Sequence, residues 1–198
     1  WLFEFPSLPK GRFNSVCFVY RDSLYVFGGT DNSSNMNEIV RYDLSTQNSG
    51  EWTTIAKVNE ANQRGGVAFV VEDKVYAGLG EKSNGIRNGF YVSSDSLTKW
   101  ELIPSIPAQL GVISSGVYDE QKKSFFMIDN DGKIWEYNLT TEQWTSRSLW
   151  IRMKNYHMFM LDGSIYILGQ DIYQKNKFTV YNPCLLYTSP SPRDTERS

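Results

Sequence analysis

Three arginines and three carboxylates stand where this chain could hold an acidic ligand: Arg12, Arg64 and Arg152, with Asp31, Glu81 and Asp171. Arginine's planar fork grips a carboxylate at two points, so such a group would suit an acidic sugar or an acidic peptide. The carboxylates would accept hydrogen bonds from hydroxyls. Phe13, Tyr156 and Trp150 would offer apolar rings for a sugar to stack on. Other chemistry is poorly supplied. His157 is the sole histidine, and only Cys17 and Cys184 carry thiols. A nucleophile needs a neighbouring base, and a zinc site needs four ligands or three with an open position. No metal and no cofactor is therefore expected. His157 reads as a packed or hydrogen-bonded strand residue and Cys17 as a buried one, as free cysteines usually are. Asp129-Asn130-Asp131-Gly132 has the composition of a calcium loop but lacks the spaced oxygen ligands and distal Glu, and reads as a hairpin. Arg64-Gly65-Gly66 leads into a strand, so it is not a phosphate loop.

The elements that must position these residues repeat. Trp1, Trp52, Trp100 and Trp144 follow at intervals of 51, 48 and 44 residues. Between them come an apolar run, a tight polar turn, an aromatic-led strand ending in glycine, a polar loop, and a tyrosine-bearing strand. The first unit shows Val16 to Tyr20, Leu24 to Gly29 and Glu38 to Asp43. The second shows Val67 to Val71, Val75 to Gly80 and Phe90 to Val92. The runs are rich in β-branched and aromatic residues, with Gly, Asn and Asp between them. Asp162-Gly163 and Asp131-Gly132 signal hairpins. A period near 50 with strand patterning predicts an all-β propeller of four-stranded antiparallel blades. The blades are expected at about 11–54, 64–102, 111–146 and 155–183, the last without its Trp strand, so about 3.75 blades of a longer array.

The pattern resembles the Kelch repeat, through Tyr25-Val26-Phe27-Gly28-Gly29, the later Tyr42-Asp43 and the spaced Trp52. Weaker copies follow down to residue 183, with Gly78-Leu79-Gly80, Ile128-Asp129 and Gly169-Gln170 in place of the paired glycines. Gly78-Leu79-Gly80 is nearer to bacterial members such as sialate mutarotases and galactose-oxidase-like envelope proteins. The copper site of the latter resembles a multi-histidine arrangement that one histidine cannot supply. The resemblance also implies that an arginine in this position often binds the backbone of a neighbouring blade. That structural role competes with ligand binding at Arg12, Arg64 and Arg152. Residues 184–198 break the pattern. They resemble a translated sequencing adapter and are expected to lie outside the fold, as an artefact.

In a four-stranded meander, alternate loops share a face. The loops after each second strand, such as 30–37 and 81–88, join the blade-linking loops, such as 6–14 and 55–65, on one side. That side is where binding is expected. A formal charge of −2 and a pI near 5.5 leave no basic footprint for nucleic acid. No apolar run reaches the length of a membrane span. Asn32-Ser33-Ser34 and Asn138-Leu139-Thr140 fit the glycosylation pattern. The leading expectation is a binding module that presents its loop face to a protein or glycan ligand, in an extracytoplasmic, bacterial-envelope setting. A sialate-mutarotase-like enzyme acting on an acidic sugar is the alternative. A Kelch-type ubiquitin-ligase adaptor inside the cell is a third.

Overall fold

A computed structural model describes residues 6–46, 49–58, 63–82, 84, 89–94, 96–103, 106–147, 153–171 and 173–182. Arg152, Trp150 and the segment 184–198 lie outside the described residues. Among the described residues the regular structure is all strand apart from one 3-10 turn, Leu44–Thr46. The chain divides into two compact units, Trp1–Ile106 and Pro107–Ser198.

The first unit holds two antiparallel sheets, each a four-stranded meander. One runs β1 (Val16–Tyr20), β2 (Ser23–Phe27), β3 (Glu38–Asp43) and β4 (Thr53–Lys57). The other runs β5 (Val67–Val71), β6 (Lys74–Gly78), β7 (Phe90–Ser94) and β8 (Glu101–Leu102). The side-chain period of two sorts each strand's residues between the sheet's faces. In β1 this sends Val16, Phe18 and Tyr20 inward and leaves Cys17 and Val19 out. Cys17 was expected to be buried; it is exposed, because it alternates with the core residues. Partial desolvation still raises its thiol pKa, so the thiol is protonated at neutral pH.

Phe18, Tyr20, Tyr25, Phe27 and Ile39 of the first sheet pack on Val75, Ala77 and Tyr91 of the second, with Ala68 at the margin. Aromatics of the first sheet therefore meet a mixed face of Val75, Ala77 and Tyr91 on the second. Phe18 and Tyr25, cross-strand partners, stack with centroids 5.2 Å apart. Phe27 stacks on Trp100 at 5.8 Å. Below the sheets the Tyr20 hydroxyl donates to the Asp73 carbonyl, and Arg21 pairs with Asp73 at 3.0 Å.

The second unit repeats the plan. β9 (Ile113–Asp119), β10 (Ser124–Asp129), β11 (Ile134–Asn138) and β12 (Gln143–Arg147) form one sheet. β13 (Met153–Leu161), β14 (Ser164–Asp171) and β15 (Asn176–Tyr181) form a three-stranded one. Val117, Phe126, Ile128 and Ile134 pack on Met158, Ile165, Ile167 and Tyr181. Asp162 and Gly163 both adopt positive φ, 49° and 71°, as a two-residue hairpin with matched twist requires. At Asp131-Gly132 only the glycine does so, at 80°. The buried Asp129 holds that turn: its Oδ1 accepts from the Asp131 and Lys133 amides, and its Oδ2 from the Trp135 indole. The segment is a hairpin, and its carboxylate is spent on the turn. His157 is a residue of strand β13, as expected, on its exposed side, because it alternates with the buried Tyr156 and Met158.

Candidate functional site

The loop side of the first unit is built on a close backbone approach. Gly28 and Gly29 follow β2 with φ of 64° and 96°, conformations that favour glycine. The Gly29 amide donates to the Gln63 carbonyl at 2.8 Å, and a Cβ on Gly28 would sit 2.8 Å from that same oxygen. The paired glycines thus form the socket for the chain as it enters the second sheet. Gln63 is fully buried. Its Oε1 accepts from the Gly80 amide and its Nε2 donates to the Gly65 carbonyl.

Arg12 and Arg64 were expected at equivalent positions. Their bridges place them one residue out of step. Phe13 pairs with Thr30 before β1, and Arg64 pairs with Glu81 before β5. Arg64 therefore matches Phe13, and Gln63 matches Arg12. One residue of offset in an extended segment reverses the side chain's direction. The Arg12 side chain is 1% exposed, whereas that of Arg64 is 46% exposed.

Each guanidinium then follows its setting. Arg12 donates to the Gly28 carbonyl at 3.3 Å, the Lys10 carbonyl at 3.4 Å and Glu38 Oε2 at 3.3 Å. Lys57 also approaches Glu38, at 3.8 Å. This is the structural arrangement, a side chain tying a strand entry to the glycine turn. Arg64 grips Glu81 Oε2 through Nε at 3.0 Å and Nη2 at 2.8 Å, and both remain open to solvent. Asn35, from the loop after β2, donates to the Glu81 carbonyl at 2.9 Å and brings the first sheet's loop to the pair.

The other candidates are occupied by their own loops. Asp31 pairs with Lys10 at 2.7 Å and accepts from the Ser33 hydroxyl and the Ser33 and Ser34 amides. The Lys10 ammonium and then these donors hold its carboxyl well below the usual carboxylate range. The sign is that of a depressed carboxylate. Its contribution to loop order is complete above the ordinary value, about pH 4, and is lost only as pH falls through the lower folded value. The Ser33 and Ser34 amide shifts should therefore stay constant from neutral pH down past about pH 4. A midpoint in the ordinary carboxylate range would refute this, and Asp31→Asn should abolish the titration. Asp171 accepts from the Tyr173 and Lys175 amides, both at 2.9 Å, with Lys177 at 4.0 Å. Phe13 is exposed, but Tyr156 is buried with its hydroxyl on the Met153 amide, so it offers no ring to a ligand. Among the described residues no group of three or more His, Cys, Asp or Glu could hold a metal ion. Among them, too, no helix is long and apolar enough to cross a membrane.

Glu38, Gln63 and Lys10 were not foreseen as partners. The paired glycines carried the signal for Gln63, since they mark a place where another backbone comes close.

Four-stranded antiparallel meanders of this kind are the blades of β-propellers. Residues 11–59 match the family model described as "Kelch motif". The chain is also similar in fold to a solved structure titled "Structure of YjhT", with a TM-score of 0.69 at 15% identity, over 89% of this chain and 70% of that one. A comparison with curated proteins gives no match. The Kelch motif match thus covers the first sheet, and the likeness over the rest of the chain is one of propeller fold.

Proposed function

We propose that the chain is a non-catalytic binding module whose ligand, a protein segment or glycan carrying a carboxylate, docks over Arg64 and Glu81. The observation that supports this reading is the exposed Arg64–Glu81 pair, set on a backbone bridge where the loops of two sheets meet. A bridge fixes the pair's position, and exposure leaves Arg64 donors for an incoming acid. Arg12 contributes rigidity rather than contact. Asp171, in the second unit, and Arg152, outside the described residues, are left out of the proposed site.

The enzymatic alternative is less well served. Sugar-ring opening and closing needs a carboxyl that gives and takes a proton. Glu81 is held as an acceptor by two Arg64 donors, and Asp31 and Asp171 are committed to turns. The extracytoplasmic setting goes with the binding reading, and a secretion-reporter fusion to the gene's upstream sequence tests it.

The test of binding is calorimetric titration of the chain with N-acetylneuraminic acid and with an acidic peptide. Arg64→Ala should weaken the better of the two about tenfold, or about 1.4 kcal/mol. The melting temperature should barely change, since an exposed ion pair contributes little. Binding that survives both Arg64→Ala and Glu81→Ala would overturn the proposal.

A further inference from the structure

The Arg64–Glu81 pair is neutral as a whole and unfinished at both ends. Arginine carries five N–H donors, and a carboxylate has two acceptor oxygens. Arg64 directs its Nε and one Nη2 donor to the same oxygen, Glu81 Oε2, at 3.0 and 2.8 Å. Among the described residues nothing accepts from its Nη1, and nothing donates to Glu81 Oε1. Arg12 differs. Each of its side-chain nitrogens reaches an acceptor, and its side chain is shut off from water. The Arg64 and Glu81 side chains are both open to solvent. Their backbones are nonetheless fixed. Arg64 and Glu81 exchange both main-chain hydrogen bonds, at 3.0 and 2.9 Å, and Asn35 holds the Glu81 carbonyl from the first sheet's loop.

A lone carboxylate that approaches Arg64 meets a cation with the Glu81 anion 2.8 Å away from it. Attraction to the one is opposed by repulsion from the other, because the two distances differ little. A lone cation at Glu81 meets the same opposition with the signs reversed. A ligand that carries both charges side by side gains at both ends. Its carboxylate accepts from the open Arg64 donors, its ammonium donates to Glu81 Oε1, and four charges alternate in sign around a ring. Each new contact is a charge-assisted hydrogen bond, the stronger kind. We propose, on the footing that the ligand docks over Arg64 and Glu81, that this ligand is a protein segment in which a basic and an acidic side chain stand together, and not an acidic sugar. A polypeptide fits because the pair lies open on the surface, whereas a small free molecule needs a cavity that buries most of it. The pair also rejects wrong partners, since a segment with two acidic neighbours would set an anion against Glu81.

Calorimetric titration of the full chain with three capped tetrapeptides tests this: acetyl-Ala-Lys-Asp-Ala-amide, acetyl-Ala-Gln-Asp-Ala-amide and acetyl-Ala-Asp-Asp-Ala-amide, with N-acetylneuraminic acid beside them. The Lys-Asp peptide should bind about tenfold tighter than the Gln-Asp peptide, or about 1.4 kcal/mol. The Asp-Asp peptide and the sugar should bind no better than the Gln-Asp peptide. Glu81→Gln keeps the oxygen and removes its charge, so in that variant the preference should vanish and the Asp-Asp peptide should gain most. Lys82→Ala removes the neighbouring ammonium and should leave the ratio unchanged. Circular dichroism should report the wild-type fold in both variants. Suppose the Gln-Asp peptide, the Asp-Asp peptide or the sugar binds as tightly as the Lys-Asp peptide and loses its affinity in Arg64→Ala. The proposal is then overturned, while carboxylate docking at Arg64 stands. A ratio that follows Lys82 and not Glu81 overturns it as well. Binding indifferent to both Arg64→Ala and Glu81→Ala, or no binding of any probe, removes the docking point itself and the proposal with it.

Discussion

Replacing Arg12 by Met should lower the unfolding free energy by about 3 kcal/mol, the scale for removing one partner of a buried, hydrogen-bonded ion pair. The substitution keeps much of the apolar stem but withdraws the donors from Gly28, Lys10 and Glu38. Glu38 is then left beside the strand with only the more distant Lys57. Arg64→Ala should cost about 1 kcal/mol or less, because water replaces its lost contact. Urea unfolding of both variants decides the matter. Equal losses would mean that the two arginines play one role, and the distinction drawn from their opposite directions would fail. Arg12→Lys should fall between, since an ammonium keeps the charge but cannot reach three acceptors in one plane. Adding Glu38→Gln to Arg12→Met should recover part of the loss by removing the stranded charge.

Phe27→Ala should cost about 3–5 kcal/mol, the range for truncating a large aromatic in a packed core. Phe27 is fully buried and stacks on Trp100 of the following sheet with an interplanar angle of 3°. Trp100→Ala should also destabilise. The double variant should lose less than the sum of the two, by about 1 kcal/mol, the usual strength of an aromatic pair. A coupling near zero would show that the stack is incidental. The comparison is sharpened by Trp52 and Trp144, which pair with Tyr42 and Tyr137 of their own sheets. Either of those tryptophans, replaced by Phe, should leave the contact between sheets intact.

That contrast shows how far the sequence could be read. The tryptophan spacing announced the repeat, and Glu38–Asp43 and Val67–Val71 could be recognised as strands from composition alone. The jobs of the tryptophans could not. β8 has only two residues, and Trp100 ties its indole to the Leu97 carbonyl ahead of that strand, which turns it toward the neighbouring sheet. The site was half legible for a similar reason. Arg64 and Glu81 were both singled out, and the fold pairs them. Arg12 was singled out with them although it stands four residues before Val16 and Arg64 three before Val67. The pairing of Phe13 with Thr30 and of Arg64 with Glu81 shows what that offset does to the side chains. Asp31 was read as an acceptor for a ligand's hydroxyls, but its commitment to Lys10 and two serine amides depends on a turn whose closure is not written in residue types. At Cys17 strand alternation overrides the general tendency of free cysteine to burial.

The offset between Arg12 and Arg64 has a practical use. Position 12 and its counterpart 63 face inward and hold the scaffold, while 13 and its counterpart 64 face the solvent. Residues that hold the scaffold and residues open to solvent are thereby written on adjacent letters of the same short segments. A combinatorial library that varies Phe13, Arg64 and Glu81, and leaves Arg12, Gln63 and the two glycines fixed, could be selected for new ligands directly, without first discarding the members that fail to fold.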